Sequence, residues 1–168
     1  MAILTTARLT LSPFQPTDWS FFHALRENPD IMRFMGNLSP EHETRLLFAR
    51  RLSSPHTFVI RQHNDTTPLG DIGLHISHQF PQEADIGYCV IPEAQGKGIA
   101  SEAVRAVCEY AFRDAGVNAV NAWVLAENHG SVRLLEKQGF VRTQMLEKVF
   151  EVNGIYHDDW GYRLVKNA

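Results

Sequence analysis

Pro92-Glu93-Ala94-Gln95-Gly96-Lys97-Gly98-Ile99-Ala100 separates two stretches of different periodicity, alternating before it and helical after it. Before it, Ala84 to Ile91 reads as a strand. After it, Ala100, Ala103, Val104, Val107, Cys108 and Ala111 fall on one face of a 3.6-residue period, which predicts a helix ending near Gly116. Two glycines at such a junction let the backbone turn tightly and approach a ligand, because no Cβ stands in the way. The amides of a helix's first turn lack partners in their own helix and carry the positive end of its dipole. Strand, glycine loop and helix start together form an anion cradle suited to phosphate. The same residues also suit a plain turn with Lys97 in solvent, so the flanking sequence has to decide.

Upstream, His56 to Gln62, Leu69 to Ile76 and Ala84 to Ile91 are strands joined by short turn-rich segments, the pattern of an antiparallel meander. Earlier still, Arg8 to Leu11 alternates as a strand, and Pro16-Thr17-Asp18 opens a helix running through Phe22 and Leu25. Ser39-Pro40 reads as the cap and first-turn proline of a second helix, continued by Leu46, Leu47, Arg50 and Leu52. Downstream, Asn118 to Leu125 is a strand and Asn128 to Gln138 a helix ending at Gly139. Phe140 to Val152 and Tyr156 to Val165 close as a hairpin around Asn153-Gly154. The order βααβββαβαββ predicts an α/β (α+β) fold, with a mixed, mostly antiparallel sheet of about seven strands flanked by about four helices. At 168 residues and 44% hydrophobic, with no repeat and no linker, residues 1–168 are expected to form a single domain.

Composition narrows the function. A net charge of −3 gives no general attraction to a polyanion, which argues against nucleic acid as a direct partner. The longest apolar run, Ala122 to Ala126, is far short of the roughly 20 residues that a membrane helix needs. No basic leader precedes an apolar segment at the N-terminus, and Cys89 and Cys108 both sit in apolar patterns. Two reduced, structural thiols and a cytoplasmic location are therefore expected. His75 and His78 have no Cys or acidic partner at ligand spacing, so no metal is implied.

Three phosphate-binding patterns compete for the glycine loop. A P-loop needs Gly-x-x-x-x-Gly-Lys-Ser/Thr, whereas Lys97 is followed by Gly98 and no glycine stands five residues before Gly96. A dinucleotide fingerprint would need a third glycine where Ser101 stands, which leaves a nucleotide-binding oxidoreductase as a weaker alternative. The acetyl-CoA loop Gln/Arg-x-x-Gly-x-Gly/Ala is satisfied by Gln95, Gly98 and Ala100.

With that loop, the sequence resembles the GNAT N-acetyltransferase superfamily, most closely its ribosomal-protein N-terminal (RimJ/RimL-like) branch. Four further blocks carry the resemblance in order: Thr6-Ala7-Arg8-Leu9-Thr10-Leu11, Asp85-Ile86-Gly87-Tyr88, Asn128-His129-Gly130-Ser131 with Leu135-Glu136-Lys137-Gln138-Gly139-Phe140, and Asn153-Gly154-Ile155-Tyr156-His157-Asp158. It implies a GNAT fold, acetyl-CoA as the acyl donor, and a primary amine as the acceptor. It also implies that the backbone of Gln95, Gly96, Lys97, Gly98, Ile99 and Ala100 binds the CoA diphosphate. The pantetheine arm would enter between parted strands at Tyr88, Val90, Ile91 and Trp123 to Leu125, with Asn128 contacting it. Asn128 equally suits the N-cap of the following helix. Relatives are often dimers, so a monomer or homodimer is expected, and a non-catalytic acyl-CoA-binding module is the alternative of a different class.

Acetyl transfer needs a neutral amine, a stabilised oxyanion and a proton for the departing thiolate. The family's usual tyrosine, seven residues after the asparagine, is replaced by Leu135. By resemblance Ser131 takes over the hydrogen bond or proton to sulfur, although it also suits an ordinary first-turn serine. Glu151 is the expected base by resemblance, with its facing open to inversion by a one-residue slip. Asp85 and His75 are the other candidate bases. An α-amine with pKa ~7.7–8.0 is roughly one part in ten neutral at pH 7, and a lysine with pKa ~10.4 far less. Without a conspicuous base, the acceptor is therefore expected to be a protein N-terminal or small-molecule α-amine. Phe34 and Met35, within residues 31–37, together with Asp85, Trp160 and Tyr162, are candidates for the acceptor side. Cys89 is expected to be a core thiol and not an acetylated nucleophile.

Overall fold

The computed structural model describes residues 1–167. Its elements in chain order are β1 (Leu4–Thr5), β2 (Leu9–Ser12), α1 (Trp19–Glu27), α2 (Pro29–Met32), α3 (Glu41–Ser53), β3 (Thr57–Gln62), β4 (Gly70–Ile76), β5 (Glu83–Val90), α4 (Ile99–Arg113), β6 (Ala119–Leu125), α5 (His129–Lys137), β7 (Val141–Val152) and β8 (Ile155–Val165). The strands form one open sheet in the order β1-β2-β3-β4-β5-β6-β8-β7. This is the mixed α/β fold expected, with two short elements added.

Both additions have local causes. β1 is only two residues, paired antiparallel through Leu4↔Leu11 and Thr5↔Thr10. α2 is a single turn that Asn28 starts by accepting hydrogen bonds from the amides of Asp30 and Ile31, with Pro29 preset for helical φ. The expected cap at Ser39 is not formed. Pro40 itself holds the N-cap position with φ −59° and ψ 152°, and helix begins at Glu41.

Hydrophobic clusters lie on both faces of the sheet. On one face α4 buries Ala103, Val104, Val107, Cys108 and Ala111 against Ile72, Leu74, Ile86, Val120 and Ala122, with Leu135 of α5 joining them. Each fully buried valine or leucine there contributes about 1.5–3 kcal/mol. On the other face Phe14 packs edge-on against Phe22 and Phe48, which tilt against each other beside Val59, anchoring α1 and α3. Between α1 and β4 the Arg26 guanidinium donates to both Asp71 oxygens at 2.7 and 3.1 Å.

The decisive feature is where the ladder stops. β5 and β6 are parallel and pair only through Glu83↔Ala119, Ala84↔Val120 and Asp85↔Asn121. Arg163 of β8 donates to Glu83 and Asn121, fastening the joined end on one face. Hydrogen bonds from Arg163 and Asn121 hold the Glu83 carboxyl below the usual carboxylate range. Beyond Asp85 and Asn121 the two strands part, while β6 stays paired with β8 up to Leu125↔Asp159.

Candidate active site

Gly96 and Gly98 both adopt left-handed backbone, φ +74° and +75°, as a tight turn into α4 requires. None of the amides from Gly96 to Ser101 donates a hydrogen bond of ordinary geometry to another described residue. A Cβ built on Gly96 meets no atom within 4 Å, so open space faces it. Arg8 fixes this loop from below. It donates to the Lys97 carbonyl at 2.9 Å and pairs with Glu102 at 2.7 Å, and Thr6 also bonds Glu102. Burial opposes ionisation of Glu102, but the hydrogen bonds from Thr6 and Arg8 bring its pKa below the ordinary value. A rigid turn with a row of free amides fits a diphosphate. Gln95 precedes the row and Ala100 lies within it, and the Ile99 side chain is buried in the core, leaving only its backbone for a ligand.

The parted strands enclose a cleft of about 270 Å³. Side chains alternate across the sheet, so the two sides of the cleft differ chemically. On the α4 and α5 side stand Tyr88, Asn128 and Ser131. The Tyr88 hydroxyl donates to Ser131 Oγ at 3.2 Å, and burial pushes the Tyr88 pKa up. With its oxygen accepting from Tyr88, Ser131 keeps its own proton to give. Asn128 Oδ1 accepts from the Ser131 amide as an N-cap, and its Nδ2 makes no hydrogen bond with a described residue. Both roles expected of Asn128 are therefore open to it at once. Leu135, at the position of the missing tyrosine, is 1% exposed and belongs to the core.

On the opposite side Trp123, Phe34, Met35, Phe150 and Asp159 line the cleft. Asp159 escaped the sequence reading, yet burial pushes its carboxyl up and it has no hydrogen-bond or ion-pair partner among the described residues. Alternation along β8 outward from the aromatic Trp160 and Tyr162 was the signal available for it.

Other expected residues lie elsewhere. Glu151 is outside the cleft at the exposed hairpin tip, where its two oxygens accept from the Gly154 amide and Asn37 Nδ2. Those bonds lower its pKa, making it a turn clamp. Phe150, its neighbour, takes the cleft-facing position, so the slip of one residue did invert the facing. Trp160 packs against the core with Arg142 over its ring at 4.1 Å, and Tyr162 is buried with its hydroxyl on Glu136, so neither reaches the acceptor side. Asp85 is exposed at the last paired rung, just outside the cleft, and burial raises its pKa against the lowering influence of His75. His75 is exposed on β4. Val90 and Ile91 continue β5 past the cleft, the Ile91 amide being taken by the Leu69 carbonyl. Cys89 and Cys108 are free and buried, and burial pushes both thiols up to about 12, the state of inert core cysteines. A larger hollow, about 590 Å³, opens between the end of α4 and the end of β8 and touches neither loop nor cleft. Among the described residues no His, Cys, Asp and Glu cluster is placed to hold a metal ion, and no helix is long and apolar enough to cross a membrane.

Known proteins share this fold. The chain is 32% identical to the uncharacterized N-acetyltransferase YoaA of Bacillus subtilis (strain 168), over 98% of this chain and 97% of that one. Its structure superposes with TM-score 0.85 on a spermidine N-acetyltransferase from Vibrio cholerae in complex with CoA and spermine, at 25% identity, covering 95% and 96% of the two chains. It superposes with TM-score 0.81 on RimL, a ribosomal L7/L12 alpha-N-protein acetyltransferase in complex with coenzyme A; at 18% identity over 98% of both chains, this likeness is one of fold. The acetyltransferase (GNAT) domain family matches residues 8–141, the stretch that holds the free-amide loop and both walls of the cleft up to β6 and α5. With most of its length so matched, the chain belongs to the GNAT acetyltransferase family, N-acetyltransferases whose acyl donor is acetyl-CoA.

Proposed function

We propose that this N-acetyltransferase transfers the acetyl group to the α-amine of a peptide N-terminus or of a small molecule, as a member of the RimJ/RimL-like branch. The observation that carries the reading is the acceptor side of the cleft: an apolar wall of Trp123, Phe34, Met35 and Phe150 with one carboxylate, Asp159. Such a wall suits a single ammonium attached to an apolar chain. A polyamine would call for several carboxylates along its length, and Asp159 is the one acidic side chain lining the cleft among the described residues. An α-amine also needs little help to lose its proton near neutral pH.

On the donor side, the amides from Gly96 to Ser101 bind the diphosphate, and Asn128 Nδ2 is free to hold the pantetheine arm. Tyr88 and Ser131 hydrogen-bond the sulfur and return a proton to it. A thiol of pKa ~8.5 is a good leaving group, so the help required is modest. Ser131→Ala and Tyr88→Phe should each lower kcat about 10- to 100-fold, at or below the lower end for general acid catalysis, with the KM for acetyl-CoA within about threefold of wild type. Steady-state CoA release measures both. An unchanged kcat in Ser131→Ala would remove that residue from the proton path.

The substrate class is tested by CoA release over N-terminal peptides, free amino acids, polyamines and aminoglycosides. Peptides or amino acids should give the highest kcat/KM. A clear preference for spermidine, the substrate named for the Vibrio cholerae relative, would overturn the α-amine reading.

A further inference from the structure

We propose that Asp159 receives the acceptor ammonium and removes a proton from its nitrogen before transfer. This rests on the acceptor reading above and adds the group that prepares the amine.

Three observations meet at this residue. Asp159 pairs across the ladder with Leu125, the last residue of β6, so it stands at the mouth of the parted strands. Its side chain lines the cleft on the face of Trp123, opposite Tyr88 and Ser131, so an amine held there approaches the thioester from the side away from the proton donors. A bulge between Leu146 and Phe150, with Lys148 in left-handed backbone, breaks the β7 register beside it and carries Phe150 to the cleft.

Its electrostatic surroundings leave it free for a ligand. From β5, Tyr88 faces the cleft and Asp85 lies at the joined end. On β8 itself, His157 is bound to Glu127 at 2.9 Å and Arg163 to Glu83 and Asn121. Asp158, on the other face, accepts from the Lys148 amide. Arg33, before the acceptor wall, lies over the Phe34 ring at 4.4 Å. Asp159 thus has no cation of its own among the described residues, and an incoming ammonium supplies one. Burial raises its proton affinity towards that of an α-amine, which narrows the gap the proton must cross.

The step balances. One proton passes from R-NH3+ to Asp159, leaving R-NH2. The nitrogen lone pair forms the C–N bond as the C–S bond breaks. Asp159 passes the first proton to water and takes the nitrogen's second as the amide forms, while Ser131 gives its proton to the sulfur and regains one from water. Asp159 then releases its proton to water, so the sum is one amide, one CoA thiol and one proton.

The test compares wild type, Asp159→Asn and Asp159→Glu on the best α-amine of the panel. At pH 7 Asp159→Asn should lose about 10²-fold in kcat/KM. At pH 9.5, where an α-amine of pKa ~8 is already neutral in solution, the deficit should shrink to about fivefold or less. Asp159→Glu should recover part of the pH 7 activity, while the Kd for CoA by calorimetry and the Tm stay at wild-type values in both variants. Unchanged kcat/KM at pH 7, or a loss of equal size at both pH values, would overturn the proposal. A wild-type preference for polyamines would overturn only the α-amine reading, because the pH dependence of the deficit is read on an α-amine whichever substrate proves best.

Discussion

Gly98→Val is expected to raise the KM for acetyl-CoA by about 10²-fold. Valine at φ +75° is strained by its β-branch, and the nearest atom to its Cβ is Arg8 Nη2 at 3.2 Å, part of the contact that fixes the turn. The turn must open, and the amides from Gly96 to Ser101 lose their common aim. Each hydrogen bond to a charged group is worth about 1.5–3 kcal/mol, and every 1.4 kcal/mol is tenfold, so one or two lost bonds account for the effect. Initial-rate kinetics with varied acetyl-CoA measure it. A KM within about threefold of wild type would mean that the diphosphate is held elsewhere.

Asp71→Ala should cost about 3–5 kcal/mol of stability, lowering Tm by roughly 6–20 °C for a chain of this length. Asp71 is 2% exposed and Arg26 is 7% exposed. Removing the carboxylate leaves the guanidinium buried above the Phe22 ring at 3.7 Å with its main acceptor gone. Arg51 adds to the cost: burial pulls its pKa down, Asp71 supports its charge and Arg26 opposes it. Without Asp71, the like charges of Arg26 and Arg51 oppose each other with their shared carboxylate gone. Thermal unfolding by circular dichroism reads the loss. The double variant Arg26→Met with Asp71→Leu should regain most of it, since a well-packed apolar pair often matches a buried ion pair. The function follows the fold here, because Asp71 pairs with Cys89 on β5, the strand that forms one wall of the cleft.

The stretch from Ala84 to Ala111 was legible because periodicity, glycine placement and helix start all agree there, and the left-handed φ of Gly96 and Gly98 is what a loop of that shape demands. The closing hairpin was legible for a similar reason: Asn153 and Gly154 have φ +53° and +82°, the pair of positive values that an Asn-Gly turn supplies. β1 and α2 were not legible, since two and four residues are too short for a repeat to register. The errors at Glu151 and Trp160 come from the facing of side chains. Counting along β7 fails at the bulge near Lys148, and an aromatic residue on β8 looks alike whether it faces a core or a ligand. Asp159 was missed because its importance depends on β5 and β6 separating after three rungs, a tertiary event that no local pattern encodes. The Tyr88 to Ser131 hydrogen bond spans 43 positions and is likewise invisible to spacing.

So short a junction between β5 and β6 makes the chain two plates joined along a seam, one from β1 to β5 and the other from β6 to β7. A donor whose arm fills that seam becomes part of the architecture, supplying main-chain partners that the protein itself leaves out. Hydrogen–deuterium exchange at Gly87 to Val90 and at Trp123 to Leu125 should therefore slow when CoA is added, while β3 exchanges as before. The amine has to meet a thioester already lodged in that seam, so catalysis should proceed by ordered addition, donor first and acceptor second, a pattern that product inhibition by CoA reads.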